Sequence, residues 1–505
     1  MNNYIKLFSA LSLTSALIPM AAQAATKSEK PNILIIFTDD HRYDSVHALG
    51  SADGVNGANT PNLDKIINSG VSFNNAYLQG ANTGATSTAS RAQLLTGRGV
   101  FDIPNGNGTP WGPEISSFPV AFRDAGYETF ITGKSHNGTD ASTRGFTTGD
   151  KMYGLINGYY TPHFRLPCVD YRADQKYHEN DAYYVYDNGA KQVLVKEALD
   201  SFNGDHSTDV FGRAAVNFIE EYNEDKPFLM YVAFHAPHDV RNFPEEYRSM
   251  YDAKDIPLPS NFLEGHPFDN GAMYIRDECT APFPRTAQNT KEQIANYYRM
   301  ISHVDDYVGK MMDALKAKGM DENTIVVFSS DSGLAMGSHG LFGKQNLYDD
   351  GGIRVPMVFS GAGLPQGKRP NDLCYSADIF PTLCGLVGID VPESCTGLNQ
   401  AASVKGRSQY LRKEAYFAYM DIHRAIRNDR YKLIEYCVEG ERHTQLFDLQ
   451  EDRYECNDLS KNPAYADIVK SLRKSLVSHS VEEIGNVWGA EFWNTYMDSY
   501  DPDKL

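Results

Sequence analysis

Four short runs of this chain are apolar at nearly every position: Asn32–Phe37, Tyr127–Thr132, Phe228–Phe234 and Thr324–Ser330. A strand with one wet face alternates apolar and polar residues. An uninterrupted apolar strand must be covered on both faces, which is the situation of a parallel sheet between two layers of helices. The intervening sequence supplies such helices. Thr208–Tyr222 carries Phe211, Ala215, Ile219 and Tyr222 on one face. Ile294–Leu315 repeats Ile294, Tyr297, Ile301, Val304, Val308, Met311 and Leu315 with charged residues opposite. Apolar strands alternating with amphipathic helices predict a doubly wound α/β domain. With 41% hydrophobic and 22% charged residues over 505 positions, the chain can bury a large core and is too apolar for disorder.

Two stretches break the alternation. Residues 151–205 and 239–290 are long, poorly periodic and rich in Tyr, Pro, Gly and Asn, the mark of functional loops inserted into an α/β domain. Beyond residue 405 the pattern changes. Ala415–Met420, His423–Arg427, Tyr431–Tyr436 and Thr444–Leu449 are short and alternating, and Pro463–His479 reads as a helix. The expected division is a main α/β domain over 25–404 and a smaller α+β subdomain over 405–505. Residues 1–24 read as an export signal: Lys6, an apolar stretch from Leu7 to Met20, then Ala22-Gln23-Ala24 for cleavage. An exported, periplasmic protein without a membrane span is therefore expected. The formal charge is −18, and removing Lys6 with the signal leaves 46 basic against 65 acidic residues. That balance argues against nucleic acid or an anionic membrane surface as partner. The seven cysteines form no CxxC pair; Cys384–Cys395 and Cys437–Cys456 are the local disulfide candidates in an oxidising compartment.

In open α/β sheets, ligands bind beyond the carboxyl ends of the strands. The four runs are followed by Thr38-Asp39-Asp40, Gly133-Lys134-Ser135-His136, His235-Ala236-Pro237-His238-Asp239 and Asp331-Ser332-Gly333. Acid, lysine or histidine thus converges from every strand end on one edge. An Asp-Asp pair alone reads as a turn or a helix cap. Asp331 from a second strand adds a third carboxylate, and three such groups together call for a hard cation, Ca²⁺ or Mg²⁺. Residues 83–98 (TGATSTASRAQLLTGR) read as a loop and then a helix over Thr88–Thr96, closed by Gly97. Ser87 falls at its N-terminus, where free N–H groups favour anions, or where a serine simply caps the helix.

The pentad Ser87-Thr88-Ala89-Ser90-Arg91 with Leu95-Thr96-Gly97-Arg98 resembles the signature of the formylglycine-dependent sulfatases, within the alkaline phosphatase-like superfamily. Further matches follow in the family's order: Asp39-Asp40, the Lys134 and His136 segment, Ala236-Pro237-His238, Asp331-Ser332-Gly333, Gly340-Leu341-Phe342-Gly343-Lys344 and Arg354-Val355-Pro356. Leu446-Phe447-Asp448-Leu449 and Asn457-Asp458-Leu459 look like its C-terminal subdomain, so the likeness spans residues 31–460. The resemblance implies a large, mostly parallel mixed sheet flanked by helices and a smaller C-terminal antiparallel sheet with a helix. It implies a Ser87 oxidised to formylglycine (3-oxoalanine) by a radical maturase before export, whose hydrate supplies the nucleophile. One Ca²⁺ would be held by Asp39, Asp40, Asp331 and the residue-87 oxygen. Ser332, where the family more often has Asn or His, is the candidate fourth protein ligand. Arg91 would steady the hydrate, Lys134 and Lys344 neutralise the sulfate, His136 take a proton, and His238 protonate the leaving sugar oxygen. Each role has a physical counterpart in charge stabilisation, general acid–base and nucleophilic catalysis.

His235 and His339 stand near these motifs as candidate substrate contacts. The Tyr-rich stretch 153–186, with Arg165 and Arg172 interleaved, either packs as a hairpin or stacks on sugar rings and pairs with their anionic groups. The expected substrate is a sulfated oligosaccharide or polysaccharide, a sulfated galactan such as carrageenan ahead of glycosaminoglycan fragments. The competing expectations are a phosphomonoesterase or phosphonate hydrolase of the same superfold, and a catalytically inactive sugar-binding homologue.

Overall fold

The computed structural model describes residues 30–50, 57–103, 111–137, 144–153, 164–165, 182–187, 191–196, 206–239 and 241–484. The proposed signal segment 1–24 and most of the Tyr-rich stretch, including Arg172, lie outside them; Arg165 is described by its backbone alone.

Among the described residues the centre is an eight-stranded sheet. In chain order its strands are β1 (Asn32–Thr38), β2 (Gly70–Ser72), β5 (Glu128–Lys134), β6 (Thr148–Tyr153), β7 (Phe164–Arg165), β10 (Phe228–Ala233), β11 (Thr324–Ser330) and β12 (Met357–Gly361). The labels β3 (Asn75–Tyr77), β4 (Gly80–Ala81), β8 (Ala182–Asp187), β9 (Lys191–Lys196) and β13 (Leu373–Tyr375) belong to smaller pairings. The spatial order is β2-β12-β11-β1-β10-β5-β6-β7. Neighbours from β11 to β7 are parallel, whereas β12 and β2 run antiparallel at one edge.

The four apolar runs are the four adjacent strands β11, β1, β10 and β5, and their near-continuous hydrophobicity has the expected cause. Leu34, Ile36, Met230, Val232, Val326 and Phe328 feed one core, beneath the helices Ser207–Glu221 and Ala287–Ala317. Ile33, Ile35, Phe37, Leu229, Tyr231, Ile325 and Val327 feed the other, beneath Thr86–Thr96, Phe118–Asp124 and Ile379–Val387. Strand β5 extends two residues past its apolar run, which places Lys134 as the last residue of the strand. Gly133 makes this possible: it lies at φ 92°, and a Cβ there would stand 2.0 Å from the carbonyl oxygen of Ala233 on β10.

The short alternating segments form β14 (Ala415–Tyr419), β15 (His423–Arg427), β16 (Tyr431–Val438) and β17 (Glu441–Asp448), an antiparallel sheet. Its fifth member is β4, from the N-terminal part of the chain, so the two sheets are stitched together. Tyr416, Phe417, Leu433, Ile434, Leu446 and Phe447 pack with Leu341, Leu347 and Ile353, and with Val469 and Leu472 of the helix Ala466–Ile484. The Gly340–Arg354 segment is thereby backed by the C-terminal sheet. Asp349 anchors it further, accepting from Lys432 Nζ at 2.6 Å, Arg427 Nη1 at 3.1 Å and the Tyr77 hydroxyl at 3.1 Å.

One expectation fails here. The disulfide candidates Cys384, Cys395, Cys437 and Cys456 are all free thiols. Cys395 Sγ instead approaches the Gly97 carbonyl at 3.1 Å, and Cys456 Sγ lies 3.8 Å from the Ser260 carbonyl. The described residues of 239–286 are largely irregular, with short 3₁₀ turns at Glu245–Met250, Ala253–Asp255 and Glu278–Thr280, before the long helix starts at Ala287.

Candidate active site

Because β11, β1, β10 and β5 are adjacent and parallel, their carboxyl ends deliver Asp331 and Ser332, Asp39 and Asp40, His235 and His238, and Lys134 and His136 to one edge. Backbone bonds tie these turns together, from Asp331 N to Thr38 O (3.1 Å) and Asp39 N to Ala236 O (3.4 Å). Asp40 and His136 sit in left-handed backbone conformations at φ 61° and 66°. For non-glycine residues such a conformation costs about 1–3 kcal/mol each, and it is held only where the surroundings over-determine it.

Three carboxylates and three cations are buried together. Arg91 Nη2 donates to Asp39 Oδ2 at 2.9 Å and Asp331 Oδ2 at 3.3 Å, while its Nη1 reaches the Lys134 carbonyl and the Tyr231 hydroxyl. Lys134 Nζ pairs with Asp39 Oδ2. Lys344 Nζ lies 2.5 Å from Asp40 Oδ1, 3.8 Å from Asp39 Oδ1 and 3.1 Å from Ser87 Oγ. Asp331 Oδ1 accepts from the Asp40 N–H at 2.9 Å, and the Ser332 hydroxyl donates to Asp40 Oδ1 at 3.0 Å. Burial alone would raise Asp39, but Lys134, His238, Arg91 and Lys344 outweigh it and hold this carboxyl well below its usual range. Burial raises Asp40 well above that range, Lys344 opposing and the neighbouring carboxylates reinforcing it.

Ser87 is the second residue of the helix Thr86–Thr96, every residue of which is buried, and its hydroxyl donates to Asp39 Oδ1 at 3.1 Å. The helix begins two residues earlier than its sequence pattern predicts and closes at Gly97 in the left-handed conformation. Its N-terminal end, and with it the positive end of the helix dipole, lies against the cluster, an arrangement that favours an anion beside Ser87.

The donor set fits a hard divalent cation. Asp40 Oδ2 is buried without a hydrogen-bond partner, and ligand atoms of Asp39, Asp40 and His238 lie within 4.8 Å of one another. Asp331, the third expected ligand, lies against the same cluster with its oxygens turned to Arg91 and the Asp40 amide.

His136 and His238 border the cluster. Burial, helped by Lys134, pushes His136 down to about 2, so its ring is neutral; its Nδ1 is buried with no partner. His238 is held well below its ordinary value by burial and by Lys344 and Lys134. Its Nδ1 faces the Asp239 carbonyl at 2.6 Å and so carries the proton, leaving Nε2 toward Arg276 Nη2 at 3.2 Å.

These groups floor a cavity of about 520 Å³ lined by Ser87, Lys134, His136, His235, His238 and Lys344, with an outer wall of Gly84, Ala85, Ile275, Arg276, Asp277 and Gln345. Six of the expected residues therefore meet in one space. His235 is one of the six, its ring 4.8 Å from that of His238. His339 does not line this cavity: it stacks on Tyr348 at 3.6 Å and meets Asn261 Nδ2 through Nε2, because the turn after Gly337 points it into the C-terminal packing. Arg276, Asp277 and Gln345 were not among the expected residues. The stretch 239–290 that carries Arg276 and Asp277 stood out only as an insertion, nothing in its pattern separates Arg276 from Arg241, Arg248 or Arg285, and Gln345 lies one residue past the Gly340–Lys344 motif.

The sequence model of the Sulfatase family matches residues 31–389, and that of the N-sulphoglucosamine sulphohydrolase C-terminal region matches 337–482. An arylsulfatase of Clostridium perfringens is 29% identical over 478 residues, covering 89% of this chain and 94% of that protein. An ulvan-active sulfatase of Formosa agariphila is 28% identical over 476 residues, covering 90% and 82%. An N-acetylglucosamine-6-O-sulfatase of Bacteroides thetaiotaomicron is 25% identical over 541 residues, covering 92% and 88%. Among solved structures, a protein in complex with its substrate D-glucosamine-2-N,6-O-disulfate superposes with a TM-score of 0.67 at 20% identity, covering 94% of this chain and all of that one. A phosphonate monoester hydrolase of Agrobacterium radiobacter superposes equally well at 24% identity, covering 90% and 96%. Likenesses at that level show a shared fold.

Proposed function

We propose, from the premise that this chain belongs to the sulfatase family and is a sulfuric ester hydrolase, that it removes sulfate from oligosaccharides of a sulfated polysaccharide, using a formylglycine made from Ser87 and a calcium ion. The observation that carries this reading is the placement of Ser87 Oγ on the cavity floor, 3.1 Å from both Asp39 Oδ1 and Lys344 Nζ at a buried helix N-terminus.

Asp39, Asp40 and Asp331 are the carboxylates that would hold the ion, with the residue-87 oxygen and Ser332 beside them. When bound, the ion supplies Lewis-acid stabilisation of charge on sulfate oxygens, and formylglycine supplies an oxygen nucleophile. The remaining work falls to the chain itself. Lys134 and Lys344 hold the sulfate end by charge, and Arg91 fixes the carboxylates from behind. His136, half-buried at the rim with its Nδ1 unpartnered, would accept a proton at that ring nitrogen. His238 presents Nε2 toward the leaving sugar oxygen, its other nitrogen fixed by the Asp239 carbonyl. A sulfate anion in the cavity adds the negative charge that favours a protonated His238.

The relatives that act as an N-acetylglucosamine-6-O-sulfatase and an ulvan-active sulfatase support a sugar substrate. Sulfated galactans such as carrageenan belong in the same test panel with glycosaminoglycan and ulvan oligosaccharides. A phosphonate or phosphoester reading calls for a second ion, and among the described residues one cluster, Asp39-Asp40-His238, has ligand geometry for a metal. Export to the periplasm after Ala24, preceded by maturation at Ser87 by a radical enzyme, completes the proposal; the N-terminal sequence of mature protein tests the cleavage.

The deciding experiment is peptide mass spectrometry of the Ser87 tryptic fragment together with sulfate release from the panel. Loss of two hydrogens at residue 87, and release abolished in Ser87→Ala, is the expected result. An unmodified Ser87 in natively matured, active protein refutes it.

A further inference from the structure

Arg276 stands apart from the other cations of the cavity. The side chains of Lys134, Lys344 and Arg91 are 4%, 3% and 0% exposed and spent on buried carboxylates, whereas that of Arg276 is 55% exposed. It is nevertheless pinned along one edge. Its Nε and Nη2 donate to Asp277 Oδ1 at 2.8 and 2.6 Å, and Nη2 also meets His238 Nε2 at 3.2 Å and Asp239 Oδ1 at 3.5 Å. Asp277 is braced in turn by Gln345 Nε2 at 2.8 Å, and Gln345 Oε1 accepts from the Lys344 amide. The guanidinium is thus oriented by the segment that carries Lys344, and its Nη1 has no hydrogen-bond partner among the described residues. Asp239 and Asp277 are 8% and 3% exposed. A ligand entering the cavity therefore meets the open edge of the guanidinium and not the carboxylates behind it.

Its position decides what it reads. Ser87, Lys134 and Lys344 mark the sulfate end of the cavity; Arg276 touches His238, on the side of the leaving sugar. A fixed, half-exposed guanidinium with one free pair of N–H groups is matched by an anionic oxygen. We propose that Arg276 is a specificity-determining residue that pairs with a second anionic group on the substrate, a sulfate or a carboxylate close to the scissile ester. This rests on the sulfated-sugar reading above and narrows it to doubly anionic sugars.

The test uses the full matured protein and four substrates: 4-nitrophenyl sulfate, a monosulfated monosaccharide, the same sugar with a second sulfate, and a monosulfated disaccharide containing a hexuronate. A charge-assisted hydrogen bond predicts that Arg276→Met loses about 10- to 100-fold in kcat/KM, mainly through KM, on one doubly anionic sugar. The same variant should change by no more than about 3-fold on 4-nitrophenyl sulfate and the monoanionic sugar, with Arg276→Lys intermediate on the doubly anionic one. Which doubly anionic sugar shows the loss identifies the second anion as sulfate or carboxylate. Equal loss on every substrate, borne by kcat, overturns the proposal and makes Arg276 a positioning residue for His238. No loss, or a wild-type preference for the monoanionic sugar, overturns it as well. Wild-type release from at least one sugar reads the parent proposal independently, and unchanged thermal unfolding of both variants excludes a folding effect.

Discussion

Replacing Lys344 by methionine separates the electrostatics of the site from its packing, since the two side chains are similar in length and the ammonium is almost fully buried. In the wild type this ammonium lies 2.5 Å from Asp40 Oδ1 and 3.8 Å from Asp39 Oδ1, and those contacts, against the cost of burial, hold its proton more tightly than an ordinary lysine does. Removing one partner of a buried pair leaves the other charge uncompensated, at about 3–5 kcal/mol. Unfolding entropy of about 2.1 cal/mol/K per residue, over roughly 480 mature residues, amounts to about 1 kcal/mol/K, so Tm should fall by about 3–5 °C in EDTA. The loss should be larger at pH 8 than at pH 6, because Asp40, already raised by burial, can discharge by taking a proton at the lower pH. Adding millimolar Ca²⁺ should restore most of the lost stability, since a divalent cation on Asp39 and Asp40 replaces the missing charge. Sulfate release should stay about 10²- to 10³-fold down even in Ca²⁺, because the donor to residue 87 and to the sulfate is gone. Differential scanning calorimetry with and without Ca²⁺, beside a sulfate-release assay, reads both. Equal destabilisation in EDTA and in Ca²⁺ would refute the placement of the cation on Asp40.

Two further outcomes follow from residues away from the chemistry. His423 is buried between Tyr419 and Tyr436, with Nε2 donating to the Asn270 carbonyl at 2.5 Å and Nδ1 unpartnered; burial pushes it down to about 3. A depressed folded pKa means that its stabilising contribution is complete above the unfolded value near 6.5 and is lost as pH falls. Between pH 7 and pH 5 it should cost about 2 kcal/mol, and pH-dependent urea unfolding of His423→Gln should lack that slope. His339→Ala should leave kcat/KM within about 2-fold while lowering stability by about 1–2 kcal/mol through loss of its stacking on Tyr348; a large kinetic loss would return His339 to the substrate site.

Much of the scaffold was readable from residue order because its causes are local. Uninterrupted apolar runs at β1, β5, β10 and β11 require a sheet covered on both faces, and the residues after each run must then share an edge. The identities of Asp39, Asp40, Lys134, His136, His238 and Asp331 follow from position relative to those runs, and Ser87, Arg91 and Lys344 from a motif. Strands β2 and β12 were missed because a three-residue edge strand and a five-residue strand beside it carry too little periodicity to register.

The tertiary structure alone decided which charges oppose one another. Asp39 and Asp331 lie 292 positions apart in the chain, yet one guanidinium, Arg91, spans both. His235 and His339 look alike as candidates in sequence, but one lines the cavity and the other stacks on Tyr348. Arg276 became a wall of the active site only because two distant segments meet its own, His238 touching the guanidinium and Gln345 bracing the neighbouring Asp277. Periodicity reports which face of an element is buried, a property of neighbours in sequence. Pairing of charges depends on distances set by the packing of whole elements, and a linear pattern carries no measure of them.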